Sequence, residues 1–275
     1  MLLTREEMTF DFKGATFDLA ADREILGWIL SQALFGESTG CYCGAALYAA
    51  PDVAAATFLS RQALEEFQHF KQFLSLFVHL GTRPVKPHPI MKFLTTHETL
   101  WDHHVTLEMA VGEGLVLTTF YGLIDTIPDP EMKRVLQAIA RQEATHVAFG
   151  EERAMQAILG KPRLARQLLG LNLISLLAAR RLGGTVAKRL APQGHPVLRQ
   201  LPEFIEFVMA VTELRLRRMG LLNGPLSSLS RRTKLAMIAE GVAARKLRSL
   251  VTPERATIPD TYLDDPMVRE VLGSL

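Results

Sequence analysis

Four glutamates and two histidines recur within the first 150 residues in the order Glu, Glu-x-x-His, Glu, Glu-x-x-His. Positions i and i+3 lie on one face of an α-helix, so each Glu-x-x-His presents a carboxylate and an imidazole to the same point. Four carboxylates and two imidazoles suit a pair of divalent metal ions, and four helices can project them into one core. The candidate metal ligands are Glu37, Glu66, His69, Glu113, Glu143 and His146.

The spacing between these residues indicates how helices would bring them together. The stretch Glu37–Glu66 is interrupted by Pro51 near its midpoint, and the stretch Glu113–Glu143 is interrupted by Pro128 and Pro130. If each stretch folds back on itself at its proline, both carboxylates lie at the same depth, roughly 20 Å from the turn at a rise of about 1.5 Å per residue. The sequence therefore predicts two antiparallel helical hairpins, each placing a Glu opposite a Glu-x-x-His.

Helical periodicity continues along the chain, without the alternation that is typical of strands. We therefore predict an all-α fold in which residues 1–159 form a metal-binding four-helix bundle and residues 160–275 form a C-terminal helical extension that packs on it. The predicted bundle helices span Asp22–Ala49, Asp52–Leu80 with Asp52 as its N-cap, Ile90–Ile124, and Pro130–Leu159. The predicted extension helices span Arg163–Arg181, Pro196–Met219 and Ser227–Leu250, followed by a short last helix after Pro253.

The proline-rich segment 81–89 joins the two predicted hairpins. An extended chain advances about 3.3 Å per residue, so this segment barely spans a bundle roughly 40 Å long. We expect it to carry the chain back along the bundle, so that the second and third helices run parallel. We also expect the third helix to begin nearer Thr95 than Ile90.

The order of the ligands and the spacing of the hairpins resemble the ferritin-like diiron-carboxylate superfamily, over roughly residues 20–158. That superfamily includes bacterial multicomponent monooxygenases, acyl-carrier-protein desaturases, aldehyde-deformylating oxygenases, rubrerythrins and ribonucleotide reductase small subunits. The resemblance implies a ferritin-like four-helix bundle whose six candidate residues bind two iron ions, or one manganese and one iron ion. It also implies that Glu66 and Glu143 bridge the two metals.

Some positions depart from the pattern of the superfamily. Many members carry Asp directly before the Glu of Glu-x-x-His, where it orients a ligand histidine. Here those positions hold Glu65 and Gln142. Glu65 has the reach for that role and Gln142 could fill it only as a neutral partner, while both are equally well explained as ordinary helix residues. Phe73 replaces the radical tyrosine of ribonucleotide reductase small subunits and excludes a tyrosyl radical at that place.

The resemblance implies an oxidoreductase that activates dioxygen to oxidise an organic substrate, by hydroxylation as in a monooxygenase, desaturation, N-oxygenation or C–C cleavage. The implied partners are dioxygen, an apolar or carrier-bound substrate, and an electron donor such as a ferredoxin or a reductase. One alternative is a ferroxidase, iron-handling or peroxide-reducing protein, against which there is no Cys-x-x-Cys rubredoxin module. A second alternative is a radical-generating subunit that works only with a larger partner.

A substrate oxidase also needs an apolar cavity beside its metals, of roughly 300 Å³ or more. Residues near a candidate ligand, or on its side of a helix, are expected to line such a cavity. Ordinary core packing explains the same residue types, and a small buried hydrophobe is the more frequent role for a cysteine of this kind. The candidate pocket residues are Cys41, Phe73, Ala110, Gly112 and Leu117.

A second group of ligand-type residues lies early in the predicted third helix. At 100° per residue, His104 is about 180° around the helix from Glu113 and should face away from the metals. We therefore expect a polar outer face here rather than another metal site. The group consists of His97, Glu98, Asp102, His103, His104 and Glu108.

Charge is distributed unevenly along the chain. Residues 1–159 hold 12 Lys/Arg and 20 Asp/Glu, whereas residues 160–250 hold 17 Lys/Arg and 4 Asp/Glu. The basic part could dock an anionic carrier, a phosphorylated substrate or nucleic acid. It could equally be a solvated face that pairs with the acidic tail or with a second subunit, as in a homodimer. No nucleic-acid motif accompanies the charge, so we do not expect nucleic-acid binding.

Neither a signal peptide pattern nor an apolar run long enough to span a bilayer is evident in the sequence. The two cysteines, Cys41 and Cys43, lie two residues apart on one predicted helix and point to different sides, so they are not expected to pair. These features favour a cytoplasmic protein without a membrane span.

Overall fold

The computed structural model describes residues 2–89, 91, 98, 100–190, 194–249 and 266–273, and within them the chain is helical and contains no strand. The all-α prediction is therefore confirmed. Short 3₁₀ turns lie at Glu6–Met8, Cys43–Ala49 and Leu226–Ser228. The helices are α1 (Arg23–Gly40), α2 (Val53–Leu80), α3 (Trp101–Thr126), α4 (Pro130–Ile158), α5 (Pro162–Leu190), α6 (Pro196–Arg199), α7 (Leu201–Arg218), α8 (Arg231–Ser249) and α9 (Pro266–Leu272).

The helices α2 and α4 begin where the sequence predicts, each directly after an aspartate. The Asp52 carboxylate accepts a hydrogen bond from the Ala55 amide at 2.7 Å, and Asp129 accepts one from the Met132 amide at 2.8 Å. Each carboxylate thus satisfies an amide that has no partner within its own helix. At its other end α2 stops at Gly81, whose φ of +66° favours a residue without Cβ.

Contacts between side chains give the direction of the first two helices. Glu37 on α1 lies beside His69 on α2, whereas Gly27, ten residues earlier on α1, lies against Thr82 just after the end of α2. The contact position on α2 therefore moves forward as the position on α1 moves back. The two helices form an antiparallel hairpin, as the sequence predicted.

The second pair of helices is arranged in the same way. Glu113 on α3 shares a ligand group with His146 on α4, and Met109, four residues earlier, packs against Gly150, four residues later. The contact position moves back by one turn on α3 and forward by one turn on α4, which is the pattern of antiparallel helices. The turn between them contains Pro128 and Pro130, as predicted.

The helices α2 and α3 run parallel. Gln62 on α2 contacts Glu113 on α3, and Phe73 further along α2 packs against Phe120 further along α3. Both contact positions advance together, which an antiparallel pair could not do. The predicted crossover by segment 81–89 is therefore confirmed in its direction.

Several predicted helix ends were wrong. One is the end of the first extension helix, because α5 continues to Leu190 instead of stopping at Arg181. The first helix stops at Gly40 instead of continuing to Ala49, and a 3₁₀ turn follows it. Glycine is a poor helix former, so Gly40 and Gly44 weaken the predicted continuation. The long third helix begins at Trp101, later than the predicted Ile90, and this start is nearer Thr95 than Ile90. The predicted helical start at 90–97 falls largely outside the described residues.

The expected polar outer face on the third helix was also wrong. Glu98, His103 and His104 are almost completely buried, and His97 lies outside the described residues. The helix α8 covers this region, where Arg245 pairs with Glu98. In addition, α3 is a π-helix over His104–Glu113, so the rotation of 100° per residue does not apply there.

The C-terminal helices pack on the first 159 residues through a shared hydrophobic cluster. Phe204 on α7 lies against Gly122 on α3 and against the ring of Phe12, with ring centroids 5.1 Å apart. The helix α3 at the centre of this packing is long and apolar enough to cross a membrane by length and composition, but 56% of its apolar window is buried inside the protein. A core helix has the same properties.

Candidate metal centre

The six candidate ligands converge at one place in the interior, between α1, α2, α3 and α4. Their ligand atoms fall into two overlapping groups in which all atoms lie within 4.8 Å of one another. Five of the side chains are buried, and Glu113 is partly exposed. The first group is Glu37, Glu66, His69 and Glu143, and the second is Glu66, Glu113 and His146.

Two of the glutamates face both histidines. Glu143 places Oε1 2.9 Å from Nδ1 of His69 and Oε2 3.6 Å from Nδ1 of His146. Glu66 places Oε1 3.3 Å from Nδ1 of His146 and Oε2 3.9 Å from Nδ1 of His69. Each carboxylate therefore offers one oxygen to each imidazole, as a ligand that bridges two metal ions must. The remaining two glutamates, Glu37 and Glu113, each belong to one group.

The far nitrogen of each imidazole is held by the other Glu-x-x-His helix. Nε2 of His69 donates to Oε1 of Gln142 at 2.9 Å, and Nε2 of His146 donates to Oε2 of Glu65 at 2.7 Å. An imidazole that binds a metal through Nδ1 keeps its proton on Nε2, and this proton needs an acceptor. The two residues that precede the motif glutamates supply these acceptors crosswise, so they are more than ordinary helix residues.

Gln62 is a further member of the site that the sequence analysis did not identify. Its Nε2 donates to Oε1 of Glu113 at 2.9 Å. It lies four residues before Glu66, which is one helical turn on the same face, and this spacing could have revealed it. Oε2 of Glu113 is buried and makes no hydrogen bond. The hydrogen bond from Gln62 therefore leaves one carboxylate oxygen available for a ligand.

Burial and crowding change the acidity of the cluster. Burial, together with the negative charges of Glu143 and Glu66, raises the pKa of Glu37 and of Glu113 well above the usual value. Burial would also raise the pKa of Glu66, but the two imidazoles outweigh it and lower that pKa. The metal-free site thus opposes full ionisation of its carboxyl groups.

The imidazoles respond in the opposite direction. Burial alone would lower the pKa of His146, but the carboxylates of Glu143 and Glu66 raise it to about 12. Burial is outweighed in the same way at His69, where Glu143, Glu37 and Glu66 raise the pKa. The cluster therefore attracts positive charge, which protons on the imidazoles provide when no metal is bound.

These residues fit a pair of metal ions. Four carboxylates carry four negative charges, which two divalent cations would balance in a site where isolated charges are costly. The unpartnered oxygen of Glu113 and the poorly aligned Nδ1 of His146 are buried polar atoms that a bound cation would satisfy. The protein therefore contains a buried cluster that could hold metal ions and is compatible with a diiron site.

The π-helical segment places Glu113 within this cluster. Residues His104–Glu113 form a π-helix, and the α-helix resumes at Gly114. π-helical turns are rare and are found frequently at functional sites. Because they widen the turn, residues five apart lie on one face, which puts Glu108 on the side of Glu113.

Gly40 leaves the space that Glu66 occupies. A Cβ atom at residue 40 would collide with the carboxylate of Glu66. The helix α1 ends at this glycine, three residues after Glu37. The helix α1 thus ends where the carboxylate of Glu66 takes the place of a side chain at residue 40.

The candidate pocket residues have different surroundings. Phe73 and Leu117 are fully buried in one hydrophobic cluster, where Phe73 packs on Phe120 with ring centroids 5.8 Å apart. Ala110 belongs to a second hydrophobic cluster, Gly112 is partly exposed in the π-helix, and Cys41 is half-buried in the turn after α1. That they line one cavity beside the metals stays a prediction.

A cavity of about 340 Å³ lies at another place, between the start of segment 81–89 and α9. It is separated from Glu66 by about four turns of α2, or roughly 20 Å. The cavity is therefore remote from the metal cluster. Its lining residues are Arg83, Pro84, Val268, Arg269, Leu272 and Gly273.

Comparison of the sequence with protein-family models gives no match, and comparison with curated proteins gives no similar sequence. The class of the protein is therefore defined by its own geometry. It is an all-helical protein with a buried carboxylate–histidine cluster that could hold metal ions.

Proposed function

We propose that this protein is an oxidoreductase of the ferritin-like diiron-carboxylate class, which activates dioxygen at a dinuclear non-haem metal centre to oxidise an organic substrate. The observation that carries the proposal is that Glu66 and Glu143 each face both imidazoles. One bridging carboxylate could arise by chance in a polar core. Two of them, each with a terminal glutamate and an imidazole on either side, are typical of dinuclear centres.

The proposed fold is a ferritin-like four-helix bundle formed by α1 to α4, with α5 to α9 as an extension. Two antiparallel hairpins with parallel central helices support it, since this topology requires one long crossover connection. Segment 81–89 provides the start of that connection.

In this proposal the residues of the chain hold, orient and insulate the metals. Glu37 and Glu113 are terminal ligands, and His69 and His146 bind through Nδ1. When bound, a reduced metal pair supplies the electrons that cleave dioxygen in two-electron steps. In a hydroxylation, one oxygen atom enters the substrate and the other leaves as water, with two electrons from an external donor and two protons.

The surroundings of the cluster support chemistry that excludes water. Buried apolar side chains lie on the Phe73 side and on the Ala110 side of the ligands, in two separate hydrophobic clusters. An apolar environment strengthens the interactions between the ligands and the metal charge. It also suits an apolar substrate better than an ionic one. The mixed oxygen and nitrogen ligands suit iron or manganese, so Fe/Fe or Mn/Fe is the proposed content.

The proposal is tested by anaerobic loading with Fe²⁺, followed by elemental analysis and dioxygen uptake with a ferredoxin or reductase as donor. We expect about two metal ions per chain and dioxygen consumption that continues as long as the donor is supplied. Folded protein that binds no metal at these six residues would refute the centre.

A ferroxidase or other iron-handling protein is the second candidate function, and one observation favours it. Glu113 is the partly exposed ligand, and the negative charge of Glu108 on the same π-helical segment helps to raise its pKa. Two carboxylates at the less buried side of the site would suit the entry of iron ions. Such a protein would consume dioxygen in proportion to the Fe²⁺ added and accumulate Fe³⁺, without continued turnover on an electron donor.

A further inference from the structure

The two metal positions of the proposed centre have the same kinds of ligand but different outer partners. This inference rests on the proposed dinuclear site. The His69 position comprises Glu37 and His69 with the shared Glu66 and Glu143, and the His146 position comprises Glu113 and His146 with the same shared pair. Each position therefore has one terminal carboxylate, two shared carboxylates and one imidazole. The ligands alone would make the positions equal.

The acceptors behind the imidazoles break this equality. Nε2 of His146 donates to a carboxylate, that of Glu65, at 2.7 Å. Nε2 of His69 donates to a neutral amide, that of Gln142, at 2.9 Å. A carboxylate draws the imidazole proton more strongly than an amide oxygen does, which makes the opposite nitrogen a stronger donor to a metal. The imidazole of the His146 position therefore has the stronger outer acceptor.

Two neighbouring contacts bear on this difference. Arg61 lies 3.5 Å from Oε1 of Glu65, but its side chain is largely exposed, so solvent screens the pair and Oε2 keeps its contact with His146. Gln62 holds Oε1 of Glu113 and leaves Oε2 free, which orients that ligand before a metal arrives. The first contact weakens the asymmetry slightly, and the second strengthens it.

We propose that Glu65 and Gln142 are positioning residues that make the two metal positions unequal, so that the His146 position fills first. The loss of an outer partner of a metal-binding histidine typically changes metal affinity by about 10- to 100-fold, and we expect a difference of this size between the two positions. The protein would then pass through a state with one metal per chain. This order would allow two different metals to be loaded in sequence.

Titration of the metal-free protein with Mn²⁺ tests the proposal without any turnover. Calorimetry gives the affinities, and electron paramagnetic resonance separates single Mn²⁺ ions from coupled pairs. The wild type should bind in two steps, with a signal from isolated Mn²⁺ at one equivalent. Glu65→Gln should weaken the first step by about 10- to 100-fold, and Gln142→Glu should strengthen the second by a similar factor, so that the steps merge in both.

The exchange Glu65→Gln with Gln142→Glu keeps charge and volume and should reverse the order of filling. Terminal-ligand variants report that order. Glu113→Ala should remove the tight step in the wild-type background but the weak step in the exchanged one, and Glu37→Ala should do the opposite. The matched controls, Glu152→Gln and Gln137→Glu, are exposed on α4 and should leave both steps unchanged.

The outcomes distinguish a failure of the proposed inequality from a failure of the dinuclear centre. If the wild type binds two Mn²⁺ ions with equal affinity, or if the exchange leaves the order of filling unchanged, the inequality is refuted while the dinuclear centre stands. If folded wild-type protein binds no Mn²⁺, both the centre and the inequality are refuted. If the single variants lose affinity equally at both positions, their role is structural and the proposal is overturned.

Discussion

The two helical hairpins deliver equivalent ligands with different backbones. In the first hairpin, Glu37 lies near the end of α1, which stops three residues later at Gly40. In the second hairpin, Glu113 lies in the middle of the continuous helix α3, at the last residue of its π-helical segment. The Glu-x-x-His helices opposite them, α2 and α4, are regular in both cases.

This difference shows that equal spacing in sequence sets the depth of a ligand but leaves its direction to local structure. The depth of Glu66 and Glu143 is the same because each lies 13 residues after the first residue of its helix (53 to 66 and 130 to 143) and the helical rise is constant. The angle at which each side chain points into the core depends on how its helix ends or widens. In one hairpin Gly40 leaves room for Glu66 beside the end of α1, and in the other the π-helix places Glu113 in the cluster.

The largest expected effects distinguish the two bridging glutamates from the two terminal ones. Glu143→Ala and Glu66→Ala should each weaken binding at both positions and abolish dioxygen consumption, because a bridging carboxylate serves both ions. Glu37→Ala and Glu113→Ala should each remove about one metal ion. Elemental analysis after iron loading checks this, with Glu152→Gln as a control. Equal losses in all four variants would contradict the assignment of bridging and terminal roles.

Substitution by alanine should have different effects at two glycines, one in each hairpin. A Cβ at Gly150 would lie 2.7 Å from the backbone nitrogen of Ala110, which cannot move freely, so Gly150→Ala should destabilise the protein by about 1–3 kcal/mol. A Cβ at Gly40 would meet only the flexible end of Glu66, so Gly40→Ala should weaken metal binding with little loss of stability. Gly36→Ala, which meets nothing within 4 Å, is the control and should stabilise α1 by up to about 1 kcal/mol.

Denaturant unfolding measures the stability of these three variants, and metal titration measures their affinity for metal ions. A Gly40→Ala protein that is strongly destabilised but binds metals normally would contradict the proposed role of that glycine.

The metal-free protein should become less stable as pH rises. The pKa values of His69 and His146 are raised in the folded state, so their contribution is complete below about pH 6.5 and is lost above it. The raised pKa values of Glu37 and Glu113 act in the same direction from about pH 4.3 upwards. The lowered pKa of Glu66 makes its contribution disappear as pH falls below about 4.3.

The unfolding temperature of the metal-free protein should therefore be lower at pH 8.5 than at pH 6. Protein loaded with Mn²⁺ should show a smaller decrease, because its ligands are already deprotonated. An unfolding temperature of the metal-free protein that rises between these two values of pH would contradict the assigned protonation.

The smallest expected effect concerns the symmetric starts of α2 and α4. Asp52 caps α2 and pairs with Arg153 on α4 at 3.0 Å, whereas Asp129 caps α4 and pairs with His79 on α2 at 3.1 Å. Asp52→Ala and Asp129→Ala should each cost about 1 kcal/mol of unfolding free energy. Asparagine at either position keeps the cap and loses only the exposed charge pair, so it should cost less than about 0.5 kcal/mol. Equal losses for Ala and Asn would show that the charge pair dominates.

Local features of the sequence predicted much of this structure. The starts of α2 and α4 follow from an aspartate before a helical pattern, and the hairpins follow from prolines midway between pairs of glutamates. The shared depth of Glu66 and Glu143 needed only a constant helical rise and these turns. The polar residues directly before Glu66 and Glu143 had two interpretations from the sequence, and one of these identified them as the outer partners of the histidines.

The errors arose where packing overrides local preference. The helix α1 ends at Gly40, and no propensity distinguishes this glycine from Gly36, which lies within the same helix. The π-helix over His104–Glu113 has no pattern that a period of 3.6 residues can detect, so His104 was placed on an outer face although it is buried. Arg245 lies far along the chain from Glu98, and only the folded chain brings them together.

The sequence by itself determined which residues could bind metals and at what depth in the helices they lie, because both depend on residue type and a constant rise per residue. Only the tertiary structure decided that Glu66 and Glu143 face both imidazoles, that Gln62 holds Glu113, and that Glu65 and Gln142 act crosswise. These contacts join residues on different helices. They depend on the rotation and separation of packed helices, which side chains from the whole interior set together.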